Sequence, residues 1–334
     1  MAHGGRASSA STPGVTRVAV ANPFASFIAQ RGLAIVDGAL ATELEARGAD
    51  LHDPLWSARV LLEQPELIRA VHDAYFAAGA DVAITATYQA TFEGFARRGI
   101  DAAAAADLMR LAVQIACDSR DAHWRTLANS AGALKPLVAV SVGPYGAFLA
   151  DGSEYRGDYG LDEDALVAWH APRFRVLANA GADVLACETI PCAVEARALL
   201  QLLDTHSAAR AWITFSARDG AHISSGESFA AVAGEIGAHP QVVAVGINCT
   251  APQFVPDLIR AARSVSDKPI IVYPNSGETY IPASGRWETG AACQPFAAAS
   301  RGWFDAGATI IGGCCRTTPR DIQALGNWVT TLSR

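Results

Sequence analysis

The sequence predicts a single-domain α/β protein with a (β/α)8 TIM barrel fold, from the number, composition and spacing of its apolar runs. Eight short runs with strand character are separated by stretches long enough for a helix, namely Leu33–Val36, Asp81–Thr87, Leu137–Val142, Asp183–Glu188, Ala211–Phe215, Val242–Ile247, Pro269–Tyr273 and Ala308–Ile311. Most are near-continuous Val, Ile, Leu and Ala, which is typical of parallel strands covered on both faces. Eight strand–helix units in roughly 300 residues favour a closed barrel.

Amphipathic stretches between these runs predict helices at Pro65–Ala78, Leu161–Ala180, Ala193–Leu203 and Pro252–Val265. Several helices are followed by a glycine turn that leads into the next strand, as at Gly79, Gly181 and Gly307. Glycine is favoured at this position because it adopts the left-handed conformation of a helix C-cap. A doubly wound open sheet is the alternative, but no Gly-x-Gly-x-x-Gly follows the first strand.

Composition and charge indicate an ordinary soluble globular protein. The chain has 334 residues, 51% hydrophobic and 18% charged, and we expect one barrel domain over residues 23–334 after a mobile tail at 1–22. The net charge of −7 favours neither a nucleic-acid groove nor an anionic membrane surface as a partner. The tail lacks the apolar core of a signal peptide, so a cytoplasmic location is expected. The oligomeric state is left open.

Three of the seven cysteines follow predicted strands. Cys249 comes directly after the sixth strand, and Cys314 and Cys315 come shortly after the eighth. These strands flank the seventh in a barrel, so the three thiols are expected to converge. We expect Gly312 and Gly313 to let the backbone turn sharply, so that the adjacent cysteines point at one site.

Three converging thiols indicate a soft-metal site, and zinc is the predicted ion because it prefers sulfur and nitrogen ligands. Structural zinc sites usually take four protein ligands, whereas catalytic sites leave one position for substrate or water. Thiolate ligands suit the activation of a substrate thiol better than that of water. A disulfide between adjacent cysteines is strained and disfavoured. The other four cysteines are interpreted as small buried core residues: Cys117, Cys187, Cys192 and Cys293.

Polar residues also stand near the ends of other predicted strands, where catalytic groups of such barrels lie. Asp37 and Glu188 are the predicted partners of a substrate ammonium group, with a helix N-cap and a general ion pair as their alternative roles. The chain has no His-x-His and no His-Glu-x-x-His, which disfavours a histidine-ligated zinc hydrolase. The further candidate substrate contacts are Thr87, Asn248, Tyr145 and Tyr273. The tyrosines, with Tyr88, are candidates for facing a cation, with packing at the barrel mouth as the alternative.

The chain resembles the zinc-dependent homocysteine S-methyltransferases that use S-methylmethionine or S-adenosylmethionine as donor. The resemblance runs from about Val36 to Pro319 and is most specific where Asn-Cys and Gly-Gly-Cys-Cys occur together. The segments that carry it are Asp37–Leu44, Thr87–Thr91, Ser141–Ala147, Ala150–Tyr155, Gly246–Thr250, Val272–Glu278 and Gly312–Arg316.

The resemblance implies a zinc ion held by Cys249, Cys314 and Cys315, which makes these residues catalytic, and a homocysteine molecule held by Asp37 and Glu188. Asn248 or water is a candidate for the fourth zinc ligand at rest. Betaine-using relatives have a tyrosine where this chain has Thr189, which disfavours betaine as donor. Two alternatives remain: methylation of selenocysteine or another small thiol, and a non-catalytic zinc-binding barrel.

Overall fold

The computed structural model describes residues 22–51, 56–127, 129–281, 286–289 and 294–332, so all of the predicted tail except residue 22 lies outside the described residues. Eight parallel strands form the barrel: β1 (Ala34–Ile35), β2 (Val82–Ile84), β3 (Leu137–Val142), β4 (Val184–Ile190), β5 (Ala211–Phe215), β6 (Val242–Asn248), β7 (Ile270–Tyr273) and β10 (Ile310–Ile311). Two further strands, β8 (Glu278–Ile281) and β9 (Arg286–Thr289), pair as an antiparallel hairpin.

Helices surround the barrel: α1 (Ala25–Arg31), α2 (Leu40–Ala46), α3 (Trp56–Glu63), α4 (Pro65–Ala77), α5 (Phe92–Ala96), α6 (Ala102–Leu127), α7 (Tyr145–Leu149), α8 (Glu163–Ala178), α9 (Ala193–Asp204), α10 (Phe229–Gly237), α11 (Val255–Arg263), α12 (Phe296–Ala306) and α13 (Pro319–Leu332). The four predicted helices are confirmed to within two residues, the last of them beginning with a short 3-10 turn at Pro252–Phe254. Among the described helices, none combines the length and hydrophobicity needed to cross a bilayer.

The sheet closes on itself, which confirms the barrel and excludes the doubly wound alternative. Strand order is β1-β10-β7-β6-β5-β4-β3-β2, with parallel pairing throughout. A parallel bridge between Val36 and Val82 joins the two ends of this order. All eight predicted strands are present, and their near-continuous apolar sequences are buried because helices cover the outside and side chains fill the inside.

Two carboxylates reinforce the seam between β1 and β2. Asp81 Oδ2 accepts a hydrogen bond from Ile35 N at 2.8 Å, and Asp37 Oδ2 accepts one from Ile84 N at 2.9 Å. Without these carboxylates both backbone N–H groups would lack a hydrogen-bond partner, because β1 and β2 pair over only a short seam. Asp37 therefore takes part in closing the sheet.

The inside of the barrel is filled from its N-terminal end by large side chains. Trp212 on β5 is fully buried and lies 5.9 Å, centroid to centroid, from the ring of Phe24, which precedes α1. This packing leaves the C-terminal ends of the strands as the open end, where sites in this fold class are built.

Cys117, Cys187 and Cys192 are buried free thiols, as the interpretation of them as core residues predicts. Cys293 lies outside the described residues. In the chain that the structure describes, the sulfurs at metal-binding spacing belong to the other three cysteines.

Gly312 and Gly313 are explained by close packing rather than by the sharp backbone turn that the sequence led us to expect. Neither glycine has a positive φ; the left-handed residue of this segment is Arg316, with φ of 67°. A Cβ on Gly312 would lie 2.6 Å from the Cβ of Val36, and one on Gly313 would collide with Thr317. Because it has no side chain, Gly312 lets the chain after β10 pack directly against the end of β1 at Val36. Gly313 in the same way lets the loop after β10 fold back closely onto its own residue Thr317.

Substituting Gly312 with alanine is therefore expected to lower the free energy of unfolding by about 1–3 kcal/mol, because the added methyl group overpacks the β1–β10 contact. Gly302 in α12 is the matched control, since a Cβ there meets no atom within 4 Å. Gly302→Ala should raise stability by about 0.5–1 kcal/mol through helix propensity. Urea denaturation of both variants measures the difference, and equal stability of Gly312→Ala and the unsubstituted protein would contradict it.

Candidate active site

The three predicted metal ligands converge at the C-terminal end of the barrel. Cys249 Sγ lies 3.6 Å from Cys315 Sγ, and Cys314 Sγ lies 4.0 Å from Cys315 Sγ. All three sulfurs lie within 4.8 Å of one another. The sheet order explains the convergence, because β6 and β10 pair with opposite edges of β7. The thiols predicted to share one site are thus confirmed to form a cluster.

Two non-glycine residues near the ends of β6 and β4 have a left-handed backbone conformation at the site. Cys249 has φ of 47° and Thr189, directly after Glu188, has φ of 59°. Non-glycine residues in this region cost free energy and cluster at functional sites, where the surrounding structure holds them. Cys249 directly follows the last residue of β6, and Thr189 lies within the last residues of β4.

The spacing of the cluster fits one tetrahedral metal ion. Zn–S bonds of about 2.3 Å in a tetrahedron place the sulfurs about 3.8 Å apart, close to the two distances between neighbours. Hydrogen bonds from Cys249 and Cys314 lower the pKa of Cys315 well below its ordinary value, so a thiolate forms readily in the cluster. The donor set is therefore three soft ligands, with one tetrahedral position left for a further group.

A cavity of about 220 Å³ opens beside the sulfurs and contains four of the predicted substrate residues. Asp37, Glu188, Asn248 and Tyr273 all line it, together with the three cysteines. Its wall is completed by residues of the first turn of α2, of the β2–α5 loop and of the segment after α7, among them Thr42, Tyr88, Glu154 and Tyr155.

Glu188 is held at the base of the cavity by neutral hydroxyl groups. Ser141 Oγ donates to Glu188 Oε1, and Tyr273 also donates to the carboxylate. The Tyr273 hydroxyl accepts from Trp212 Nε1 at 2.9 Å and lies 2.8 Å from Thr214 Oγ1. Burial raises the pKa of Glu188 to about 7, although the two donors oppose this shift. The carboxylate thus pairs with hydroxyls rather than with a cation of the described chain.

Asp37 provides a second buried carboxylate in the same cavity. Burial raises the pKa of Asp37 well above its ordinary value, and the charge of Glu188 raises it further, although the bond from Ile84 opposes this. Helix α2 has Ala39 as its N-cap residue, so Asp37 is not the cap. Two buried acids that repel each other gain most from a ligand with a positive charge, because it compensates the cost of burial for both.

Both polar atoms of the Asn248 side-chain amide form hydrogen bonds with Thr189. Its Oδ1 accepts from Thr189 N at 2.7 Å and its Nδ2 donates to Thr189 Oγ1 at 2.8 Å. The amide links the ends of β6 and β4 and holds Thr189 in its left-handed conformation. Asn248 was proposed from the sequence as a resting metal ligand, but both polar atoms of its amide are used in these hydrogen bonds to Thr189.

Replacing Asn248 with alanine is expected to reduce the free energy of unfolding by about 1–3 kcal/mol, because the buried N–H of Thr189 loses its acceptor. The content of bound metal, measured by atomic absorption, should stay equal to that of the unsubstituted protein. Thr189→Val is the control that removes only the hydroxyl and should cost less. Loss of metal from Asn248→Ala would instead assign it to the ligand set.

Two predicted substrate residues do not line this cavity. Thr87 is fully buried and donates from Oγ1 to the Ser141 carbonyl at 2.7 Å, which ties the β2 end to β3. The Tyr145 ring lies 4.9 Å from that of Trp169 and 5.3 Å from that of Tyr159, centroid to centroid. The packing alternative therefore describes Tyr145 better than a cation contact.

Two residues of the cavity wall, Glu154 and Tyr155, were not among the predicted site residues. They form a 3-10 turn after α7, and the Tyr155 hydroxyl lies 3.0 Å from Cys249 Sγ. The only signal for them in the sequence is the segment Ala150–Tyr155, which carries part of the family resemblance without ending a strand.

Comparisons with known proteins identify the family to which the chain belongs. A model of the homocysteine S-methyltransferase family matches residues 34–329. The homocysteine S-methyltransferase YbgG of Bacillus subtilis is 51% identical over 311 residues, which are 93% of this chain and 99% of that protein. The selenocysteine Se-methyltransferase of Brassica oleracea is 47% identical, with 88% of both chains covered.

A solved structure shows the same likeness. The metallated form of the homocysteine methyltransferase MmuM from Escherichia coli matches with a TM-score of 0.82 and 46% identity, over 91% of this chain and 98% of that one. Family match, identity and architecture extend over nearly the whole barrel. This chain therefore belongs to the homocysteine S-methyltransferase family and is a methyltransferase.

Proposed function

We propose that the enzyme transfers a methyl group from a sulfonium donor, S-methylmethionine or S-adenosylmethionine, to homocysteine and so forms methionine. The observation that carries this proposal is one cavity with three clustered sulfurs and two buried carboxylates. The sulfurs suit a thiol substrate held through a metal ion, and the carboxylates suit its ammonium group.

Cys249, Cys314 and Cys315 are the residues proposed to hold zinc. When bound there, zinc supplies the positive charge that lowers the pKa of a substrate thiol, so that it is a thiolate at neutral pH. Three thiolates leave the whole site with a net negative charge, which keeps an incoming sulfur electron-rich. The cysteines thus favour sulfur as the nucleophile over water.

Glu188 and Asp37 orient the amino-acid end of homocysteine. Their carboxylates receive the ammonium group, and its positive charge offsets the burial that raises the pKa of both acids and the charge of Glu188 that raises the pKa of Asp37 further. Tyr273 and Ser141 hold Glu188 in place. Fixing the ammonium group at the base and the sulfur at the cysteines aligns the nucleophile before the donor arrives.

The transfer itself needs little further assistance from acid or base groups. The homocysteine sulfur forms a bond to the donor's methyl carbon while the bond from that carbon to the donor sulfur breaks. The electron pair of the broken bond stays on the donor sulfur, which leaves as a neutral thioether. No proton has to be delivered to it, and alignment of sulfur, carbon and sulfur in a partly desolvated cavity accounts for the protein's contribution.

Methionine formation from homocysteine tests the proposal directly, with S-methylmethionine, S-adenosylmethionine and betaine offered in parallel. The two sulfonium compounds are expected to give methionine, and betaine is expected to give none above background. Betaine as the best donor, or no methionine from any of the three by metal-loaded enzyme, would overturn the proposal.

Selenocysteine is the second candidate acceptor, supported by the similarity to the Brassica selenocysteine methyltransferase. Competition between homocysteine and selenocysteine for a limiting amount of donor decides between them.

A non-catalytic zinc barrel is the less favoured alternative, because a storage site gains nothing from the acid pair beside the sulfurs. The cysteines of the described chain are free thiols, which supports a reducing compartment such as the cytoplasm.

A further inference from the structure

Glu154 is a third carboxylate at the cavity, on the wall formed by the loop after α7. Its main chain is fixed, since Ser216 Oγ donates to the Glu154 carbonyl at 2.8 Å. Gly146 packs so closely against it that a Cβ there would lie 2.9 Å from the Glu154 Cα. The position of this side chain is therefore set by the fold of the loop.

One oxygen of the Glu154 carboxylate has no hydrogen-bond partner in the part of the chain that the structure describes, although the N–H of Glu154 and the charge of Arg156 partly oppose the rise in the pKa of this acid. Its Oε2 is buried and makes no hydrogen bond there. Arg156, the nearest basic residue along the loop, lies instead 3.5 Å from Asp151 and 3.4 Å from Asp158. An unpaired, buried acid oxygen that faces a cavity indicates a ligand with a positive charge or a hydrogen-bond donor.

This acid lines the same cavity as the three cysteines but lies outside the metal-binding group. Burial raises the pKa of Glu154, and the negative charge of Cys315 is among the further causes. Among the described residues, however, the group whose ligand atoms lie within 4.8 Å of one another consists of the three cysteines alone. Glu154 is thus near the reacting sulfur without belonging to the donor set.

The proposed reaction brings two kinds of cation into the cavity. The ammonium group of homocysteine is assigned to Asp37 and Glu188 at the base. The donor brings an ammonium group of its own and the sulfonium, which must reach the homocysteine sulfur from the side that the protein leaves open. We propose that Glu154 binds the positive charge of the sulfonium donor and so helps to select a cationic methyl donor. This inference rests on the proposed function.

The chemistry of the transfer decides which kinetic constant Glu154 affects. The donor carries a full positive charge when it binds, and this charge decreases as the methyl group leaves. An interaction with Glu154 is therefore stronger in the bound state than in the transition state, so it lowers the KM for donor without raising kcat.

Glu154→Gln tests this role, because glutamine keeps the volume and removes the charge. The KM for S-methylmethionine is expected to rise about tenfold or more. The kcat at saturating donor should stay equal or rise, because the lost interaction is weaker in the transition state, and the KM for homocysteine should stay within about twofold. Calorimetric titration of S-methylmethionine should show the same loss of affinity, and bound metal should be unchanged. Glu154→Asp should recover part of the affinity.

Asp158→Asn is the matched control, since it removes one exposed negative charge from the same loop and should leave the KM for donor unchanged. An unchanged KM for donor in Glu154→Gln overturns the inference, as does a loss of metal or an equal rise in the KM for homocysteine. Failure of the unsubstituted enzyme to form methionine would instead overturn the proposed function.

Discussion

Replacing Cys315 with alanine is expected to abolish bound zinc and turnover together. Cys315 is the central sulfur of the cluster, 3.6 Å from Cys249 and 4.0 Å from Cys314. A complete four-ligand zinc site binds with about 10–16 kcal/mol, so the loss of one thiolate costs about 3 kcal/mol, more than a hundredfold in affinity. Metal content after dialysis and the rate of methionine formation are the two measurements.

Cys117→Ala provides the matched control for this experiment. Cys117 is also a buried free thiol, but it lies on α6 outside the cavity. Its loss should lower stability modestly and leave metal content and turnover unchanged. Full activity of metal-depleted Cys315→Ala protein would remove the zinc site from the mechanism.

Glu188→Gln is expected to raise the KM for homocysteine by about 10- to 100-fold, because a charge-assisted hydrogen bond to the ammonium group becomes a neutral one. The KM for donor should change much less. Glutamine can still accept from Ser141 and Tyr273 through its oxygen, so the base of the cavity stays intact. An unchanged requirement for homocysteine would remove this residue from the amine site.

The pH dependence of the same variant gives a separate check on Glu188. The pKa of Glu188 is raised to about 7, and only the ionised form binds the ammonium group strongly. The ratio of the KM for homocysteine in Glu188→Gln to that in the unsubstituted enzyme should therefore rise about tenfold from pH 6 to pH 8 and then level off. Taking the ratio cancels the ionisation of the substrate thiol, which both proteins share. A flat ratio well above one would show that Glu188 is already fully ionised at pH 6, and a ratio near one throughout would show that it does not bind the ammonium group.

The barrel, its strands and the cluster of three sulfurs were predictable because the sequence encodes them by composition and by position at strand ends. A run such as Val242–Ile247 is unbroken by polar residues, and the next residues, Asn248 and Cys249, therefore stand at the open end. The antiparallel hairpin of β8 and β9 was not predicted, because it lies between β7 and α12, outside the repeating strand–helix pattern.

Side-chain direction was the part that position along the chain did not determine. Thr87 and Tyr145 follow strands in the sequence, yet one bonds to the next strand and the other packs among aromatic rings. Glu154 reaches the cavity from a loop whose path depends on contacts with distant segments such as Ser216. The left-handed conformations of Thr189 and Cys249 were equally hidden, because neither residue is a glycine.

The double use of Asp37 limits how the acceptor site of this enzyme can be redesigned. The same carboxylate that lines the cavity, and that we propose binds the substrate ammonium group, also accepts a hydrogen bond from Ile84 N across the seam of the barrel. Exchanging it to admit a different acceptor would loosen sheet closure at the same time. Glu154 belongs to no strand, so retargeting the enzyme toward new methyl donors is the route that leaves the scaffold undisturbed.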